Sequence, residues 1–409
     1  MVTVSYRPGQ VDIQEFYIYT PNGKRVDLIN LFVEFNLYEN IYSYSLTGTI
    51  TMVDTHNLIS ETPLLGEEFV VFTYKVFDTD EARTIHFRTY KIDDRRIDGN
   101  KQMYKIHLMT FEAYKDASMN ISRKLQGTSD TIIRQLLQTE LSSSKQMQLD
   151  DSANSLHLVV PYWSPFSCIA WAAQKALSKD SYRNADYLFF ETPSGYKFNS
   201  MSSTFQNPPV EYFKHNQDRN VDGEFTRDYN KEYAQVINLE TKIISDQVER
   251  IMSNVYKNHT IVHDITFKSV NGYDYNLAED WDKSNHLNAN PHFSSSMTSS
   301  ISADYTVANA SSYTHDSKYY DWQGLVTNRR MGSLMRLDSV KLKIEVWGRM
   351  GIESGNVVHL DIGKFTQSEL KSDLYYTGNY LVSAIMHRFA QKEYKQYIEL
   401  VSESSANKF

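Results

Sequence analysis

The sequence predicts a mainly β, α+β fold in which all-β regions flank a small α/β segment. Three observations predict it. Strand-length runs alternate apolar and polar residues near both ends of the chain, two helix starts lie between them, and aromatics are plentiful, with 29 Tyr and 20 Phe. Aromatic side chains suit pleated, half-buried sheets and surfaces that are apolar on one side.

At 409 residues the chain exceeds a single core; at roughly 100 to 200 residues per domain, two or three domains are expected. Hydrophobic content of 41% and charged content of 22% are those of a globular protein. With 42 basic against 50 acidic residues the formal charge is -8, which argues against nucleic-acid binding by phosphate neutralisation. The single cysteine, Cys168, excludes an intramolecular disulfide and any multi-cysteine metal site, and it fits folding in a reducing cytosol. The opening stretch MVTVSYRPGQVDIQ lacks a basic segment followed by an apolar core. No apolar run reaches the roughly 18 residues of a membrane span, so neither an export signal nor membrane insertion is expected.

From Leu31 the pattern alternates, with Leu31, Val33, Phe35 and Leu37 on one face, and then Leu46, Ile50 and Met52 against Ser45, Thr47, Thr49 and Thr51. These are half-buried strands. Phe69 to Phe77 is apolar on both faces. Ile85 to Ile97 runs into Asp98-Gly99, a dipeptide that supplies the positive φ of a tight hairpin turn, before Tyr104 to Phe111 returns. Residues up to about 115 thus read as an antiparallel barrel or sandwich.

Gly127-Thr128-Ser129-Asp130 offers capping oxygens ahead of Ile132, Ile133, Leu136 and Leu137 at helical spacing. A second helix follows Ser164-Pro165, with proline at its first position; Phe166, Ile169, Ala170, Ala173 and Leu177 form its stripe, and Cys168 and Trp171 lie opposite. Tyr187–Glu191, the turn Thr192-Pro193-Ser194-Gly195 and Tyr196–Asn199 read as a hairpin. Gln206 to Tyr233 reads as an extended linker or surface arm. Strand-like sequence resumes at Val236 to Ile244, followed by a short helix from Ser245 with Val248, Ile251, Met252 and Val255 on one face. Phe293 to Ser317 is rich in Ser, Thr and Asn and reads as a long loop. Alternation returns at Val340–Val346, Val358–Ile362 and Tyr380–Val401, so the C-terminal region is all-β again.

The two β regions align over one block. Gly66 to Tyr90 spans 24 positions and Gly355 to Tyr380 spans 25, while Tyr90 to Tyr104 and Tyr380 to Tyr394 each span 14. Glycine turn, strand, hairpin and final strand recur in the same order, so Gly66–Glu112 repeats at Gly355–Glu403. Three copies of such a two-barrel chain would present six similar units around a three-fold axis.

Several stretches carry a family resemblance: LLGEEFVVFTYKV (64–76), VVPYWSPFSCIAWAAQKAL (159–177) with YLFFETPSGYKFNSM (187–201), VHDITFKSVNGYDYN (262–276), VWGRMGIESGNVVHLDI (346–362) and TGNYLVSAIMHRF (377–389). In this order the chain resembles the central baseplate hub proteins of contractile, myovirus-type phage tails, related to the N-terminal module of type VI secretion spike proteins. The resemblance implies two tube-like antiparallel β-barrel domains with an inserted small α/β domain and a long loop-rich insertion. The expected boundaries are 1–115 for the first barrel, 116–205 for the α/β insert, 206–270 and 336–403 for the second barrel, and 271–335 for the loop-rich insertion with a short helix. It implies a homotrimer forming a pseudo-six-fold ring that joins the tail tube to the trimeric spike and lets DNA pass. The implied partners are tube or tube-initiator proteins, baseplate wedge proteins and a spike expected as a separate polypeptide, because the chain stops at Phe409 without the barrel and needle of secretion-type spikes. The implied location is the virion baseplate, assembled in the host cytoplasm.

An enzyme must hold nucleophile, base or metal in a fixed constellation. The sequence has no G-x-S-x-G, no G-x-x-x-x-G-K-[ST], no G-x-G-x-x-G and no H-E-x-x-H, and no Glu is followed nine residues later by Asp as in phage-type lysozymes. Cys168 reads as a buried structural thiol rather than a peptidase nucleophile. His259 and His263 would share a face on a zinc-binding helix, but Thr260, Ile261 and Val262 between them favour a strand. Asp78-Thr79-Asp80-Glu81 resembles half a calcium loop without its glycine, and reads as a hairpin tip. Asn120, Asn258 and Asn309 match the glycosylation pattern, which is common by chance. Tyrosine-rich stretches at Tyr38–Tyr44 and Tyr313–Trp322 are candidate interface aromatics. No catalytic, cofactor-binding or metal residue is assigned, and no cofactor is expected. A baseplate-embedded cell-wall hydrolase and a glycan-binding receptor-recognition protein are the alternative classes.

Overall fold

The computed structural model describes residues 8–55, 64–76, 81–99, 101–180, 182–215, 233–243, 246–264, 268–293, 304–309, 319–363 and 373–408. Its first region contributes β1 (Val11–Tyr19), β2 (Arg25–Asp27), β3 (Phe32–Asn40), β4 (Thr47–Asp54), β5 (Phe69–Val76), β6 (Ala82–Asp98) and β7 (Lys101–Thr110). Period-two alternation places Leu46, Ile50 and Met52 inside, with the β4 threonines on the other face. The expected inward row of β3 is corrected in one respect. A register shift between Phe32 and Glu34 turns Phe32 inward and leaves Val33 44% exposed, because an extra residue in a strand reverses the alternation beyond it. Asp98 still pairs with Lys101, and Gly99 at φ +56° turns the chain between them.

The insert follows as α1 (Phe111–Ser118), β8 (Lys124–Thr128), α2 (Ser129–Gln135), β9 (Met147–Leu149), β10 (Ser155–Val159), α3 (Pro165–Gln174), β11 (Tyr187–Thr192), β12 (Gly195–Ser200) and α4 (Met201–Thr204). Ser164 caps α3 by accepting from the Ser167 amide, with proline at the first turn. Its core joins Leu125, Ile133, Leu136, Ile169, Phe189 and Phe198. Gly195 is required where it stands, since a Cβ there would lie 2.3 Å from the Gln146 carbonyl oxygen.

The rest comprises β13 (Tyr212–His215), β14 (Asn238–Ile243), α5 (Gln247–Met252), β15 (Lys257–Asp264), β16 (Ser269–Asn276), α6 (Leu277–Asp280), β17 (Asn290–Pro291), β18 (Asp304–Asn309), α7 (Tyr319–Arg336), β19 (Val340–Trp347), β20 (Val357–Ile362), β21 (Gly378–Ala390), β22 (Glu393–Ser402) and β23 (Ser404–Ser405). Tyr212–His215, inside the expected arm, is a strand pairing parallel with β20. The α5 stripe differs from expectation too: Val255 is buried, but Val248, Ile251 and Met252 face solvent. Where a short helix was expected in the 271–335 insertion, the segment holds the short α6 and also α7, which is 18 residues long, reaches Arg336 and packs on β15 and β16.

One sheet of 13 strands runs through both all-β regions in the order β14-β19-β22-β21-β3-β4-β7-β6-β5-β1-β2, with β20 and β13 branching at β21. It curls into two barrels. The first closes through the β21–β22 hairpin, whose β21 pairs with β3 and whose tip bridges Glu393 to Gln10 ahead of β1. Phe389 and Tyr394 of that hairpin therefore lie in the first core, stacked at 4.4 Å and packed on Phe35, Phe72 and Tyr74. The second runs β14-β19-β22-β21-β20-β13, and a bridge from Lys214 to Gln235 brings its ends together. Its core gathers Phe213, Leu342, Ile344, Leu360, Val382 and Ile398.

The internal repeat is visible in these elements. Gly66 and Gly355 take φ +87° and +82°, each precedes a three-strand meander (β5-β6-β7 and β20-β21-β22), and each meander has a bulge in its middle strand, at Tyr90 and at Ser383, with a second irregularity in β6 between Asp93 and Arg96. The bulges, not the tyrosines, set the equivalence: Tyr90 corresponds to Ser383 rather than to Tyr380.

Candidate functional site

The residues singled out from the sequence do not converge. Cys168 is fully buried on α3, and burial pushes its thiol up to about 11, the setting of an inert structural cysteine. His259 and His263 both sit on β15, and His259 Nδ1 lies 2.6 Å from the Asp274 carboxylate. Asn258 is buried on the same strand. The tip residues Asp78, Thr79 and Asp80 and the stretch Tyr313–Ser317 lie outside the described residues. Tyr38, Tyr42 and Tyr44 are substantially exposed beside the start of β4. Among the described residues there is no cluster of three or more metal-type ligands, and no helix is long and apolar enough to cross a membrane.

What the fold does bring together is a set of buried polar junctions where its parts meet, and local sequence pattern revealed none of them. Glu353, in the loop before β20, joins three regions. Arg83 Nη1 of β6 stands 3.1 Å from its carboxylate, Lys197 Nζ of the insert stands 3.3 Å away, and Ser194 donates a hydrogen bond. Burial alone pushes this carboxyl up, but Lys197, Ser194 and Arg83 together outweigh it and hold it below the usual range. Beside it, Gly355 lets the second barrel approach the insert: a Cβ there would lie 2.6 Å from the Phe190 ring.

A second junction ties the barrels directly. His387 of β21 has Nε2 2.8 Å from Glu39 Oε1 of β3 and Nδ1 2.6 Å from the Tyr394 hydroxyl. The connectivity is that of an acid–base relay. Glu39 and His387 are, however, only 2% and 1% exposed, so no substrate reaches them, and burial outweighs His387 to raise the Glu39 carboxyl.

The repeated meanders each end on a buried glutamate that docks an insertion. After β7, Glu112 accepts from Lys145 at 2.6 Å and from Ser143 at 2.7 Å. Lys145 also holds Glu191, which accepts from the Leu46 amide and Thr110 Oγ at 2.9 Å each. After β22, Glu403 accepts from the Leu287 amide at 2.9 Å and lies 3.2 Å from His286 and 3.7 Å from Arg336. Burial raises this carboxyl less than His286 and Arg336 lower it. From α7, Arg330 donates to the Ala185 and Tyr187 carbonyls of the insert, and burial pushes its guanidinium down to about 10. These groups fix orientation; none presents a nucleophile with a base to solvent.

No family model and no curated protein matches the chain. Solved structures do. The 43 kDa tail protein of prophage MuSo2 from Shewanella oneidensis superposes with a TM-score of 0.57 at 8% identity, over 95% of this chain and 98% of that one. The tail protein from Neisseria meningitidis gives 0.55 at 9% identity, over 95% and 96%. The superpositions run almost end to end, so the chain has the fold of phage tail proteins. It is an α+β, mainly β fold, and identity this low carries the fold and nothing finer.

Proposed function

We propose that this protein is a non-enzymatic structural hub of a contractile tail baseplate. Three copies form a ring of six barrels that joins the tail tube to a separate trimeric spike, contacts tube-initiator and wedge proteins, and leaves a channel for DNA. The carrying observation is two barrels of repeated plan built on one continuous sheet, a chain that supplies two pseudo-equivalent units per copy. Support also comes from the polar chemistry, which is spent on fixing the parts of one chain against each other. Particles assembled in the host cytoplasm would carry the protein in the virion. Native mass measurement tests the assembly: three times the 47.5 kDa chain mass is expected, and a stable monomer at micromolar concentration contradicts it.

A further inference from the structure

Beside Glu403, where the insertion meets the second barrel, lies a recess whose charges do not balance. It is lined by Arg250 of α5, His292, Arg336 at the end of α7 and Glu403, with Val255 and Leu277 as apolar walls. It leaves about 10 Å³ of free volume, room for one water-sized guest. Arg250 and Arg336 are only 6% and 5% exposed, and a guanidinium keeps its charge inside a protein. Arg250 donates from Nη2 to the Ser339 carbonyl, and among the described residues no carboxylate pairs with it. Arg336 lies over the Trp281 ring at 5.4 Å. Its Nε stands 3.7 Å from Glu403, beyond hydrogen-bond reach, so this buried N–H has no acceptor.

Two guanidiniums against one carboxylate leave one positive charge in excess. The neighbouring histidines cannot offset it, because an imidazole is either neutral or positive. His286 stands 3.2 Å from Glu403 and so draws on the same carboxylate as Arg336. Burial pushes His292 down to about 4, which leaves it neutral near pH 7. A water in the recess would accept from Arg336 and leave the charge as it was. Uncompensated buried charge is far more costly than an unmade hydrogen bond, so the recess calls for an anion.

We propose that it binds one small monovalent anion of the halide type, chloride in ordinary buffers, between the guanidiniums of Arg250 and Arg336. The free volume excludes sulfate, phosphate and carboxylate groups, which carry several heavy atoms. The position gives the ion a structural role. Arg250 precedes β15, Arg336 ends the helix that packs on β15 and β16, and Glu403 follows β22. The bound ion thus ties the sheet of β15, β16 and β18 to the end of the second barrel, beside the contacts by which Glu403 docks the insertion.

Thermal unfolding of the full-length protein is expected to occur at higher temperature in sodium chloride than in sodium gluconate of equal ionic strength, because gluconate is too large to enter. Each tenfold rise in chloride beyond saturation should add about 1–2 °C to Tm. Arg250→Met leaves Arg336 opposite Glu403 and a balanced recess, so its Tm should respond alike to both salts. Crystals of the unaltered protein grown with sodium bromide should show an anomalous peak between the two guanidiniums, a readout that stands even where the variant fails to fold. Equal Tm in the two salts overturns the proposal, as does water rather than bromide in the recess, or a chloride response that survives in Arg250→Met. A bromide peak without any chloride effect on Tm is an adventitious ion only, and overturns it too.

Discussion

The two barrels are built on one plan and finished differently. In the first, the slot between β3 and β1 is filled by a hairpin from the second, so Phe389 and Tyr394 complete a core whose other strands lie more than 270 residues upstream. In the second, a bridge between Lys214 and Gln235 is the described closure. The glycine that starts each meander shows the same contrast. Gly355 is pressed against Phe190 of the insert, whereas the nearest atom to a Cβ at Gly66 is the Tyr90 carbonyl oxygen at 3.7 Å, and Leu65 beside it is 70% exposed. Among the described residues, the second barrel turns this corner onto the insert, and the first leaves the equivalent corner uncovered. Duplication followed by such unequal use gives a subunit whose two barrels share one internal joint, β21 on β3.

The largest effect is expected where the barrels share a core. Phe389→Ala removes a ring that touches Phe35, Phe72, Tyr74 and Tyr394, and should cost about 3–5 kcal/mol. Hydrogen exchange should show protection lost in β1, β3 and β5 of the first barrel, although the mutated strand is mostly part of the second. Loss confined to β21 and β22 would break the shared-core account.

The three-way junction comes next. Glu353→Ala leaves Arg83 and Lys197 facing a gap and should cost about 3 kcal/mol, read by chemical denaturation. The pH dependence has a defined sign. The Glu353 carboxyl is held below its ordinary range, so its contribution is complete above the unfolded-state value of roughly 4.3 and is lost as pH falls through the lower folded value. Glu353→Gln should flatten stability against pH in that acid window. Glu39 and Glu191 act in the opposite direction, since burial raises both carboxyls and their stabilising contribution falls as pH rises. A variant whose acid profile matched the parent's would show that Glu353 is not the coupled group.

The smallest effect separates the two glycines. Gly66→Ala meets only the penalty of its positive φ, about 1 kcal/mol. Gly355→Ala must also displace Phe190 and should cost roughly 2–3 kcal/mol. Equal shifts in calorimetric Tm would mean that the insert does not bear on the second barrel as tightly as the Gly355–Phe190 approach requires.

The strands, the hairpin turning at Gly99 and the capped helix after Ser164 were legible because alternation, turn residues and caps are local signals. The bulge at Phe32–Glu34 was not, since an extra residue leaves no mark in composition, and the outward Val33 follows from it. Tyrosine matching misplaced the repeat by three residues at Ser383, because side-chain identity is a weaker marker of register than the backbone irregularity beside each glycine. Helix α7 is longer than the short helix expected in its segment, because its few aliphatic residues, Leu325, Val326 and Leu334, leave the helical period faint. The junctions at Glu39, Glu353 and Glu403 join residues far apart in the chain, and a lone glutamate in a strand or loop reads as solvated until its partners arrive.

The central claim is that the two barrels are equivalent places in one ring, and imaging the assembled protein tests it most directly. Class averages down the symmetry axis should show three copies as six similar lobes around an open channel. Three lobes in one tier with three peripheral ones, or no closed ring at all, would contradict it.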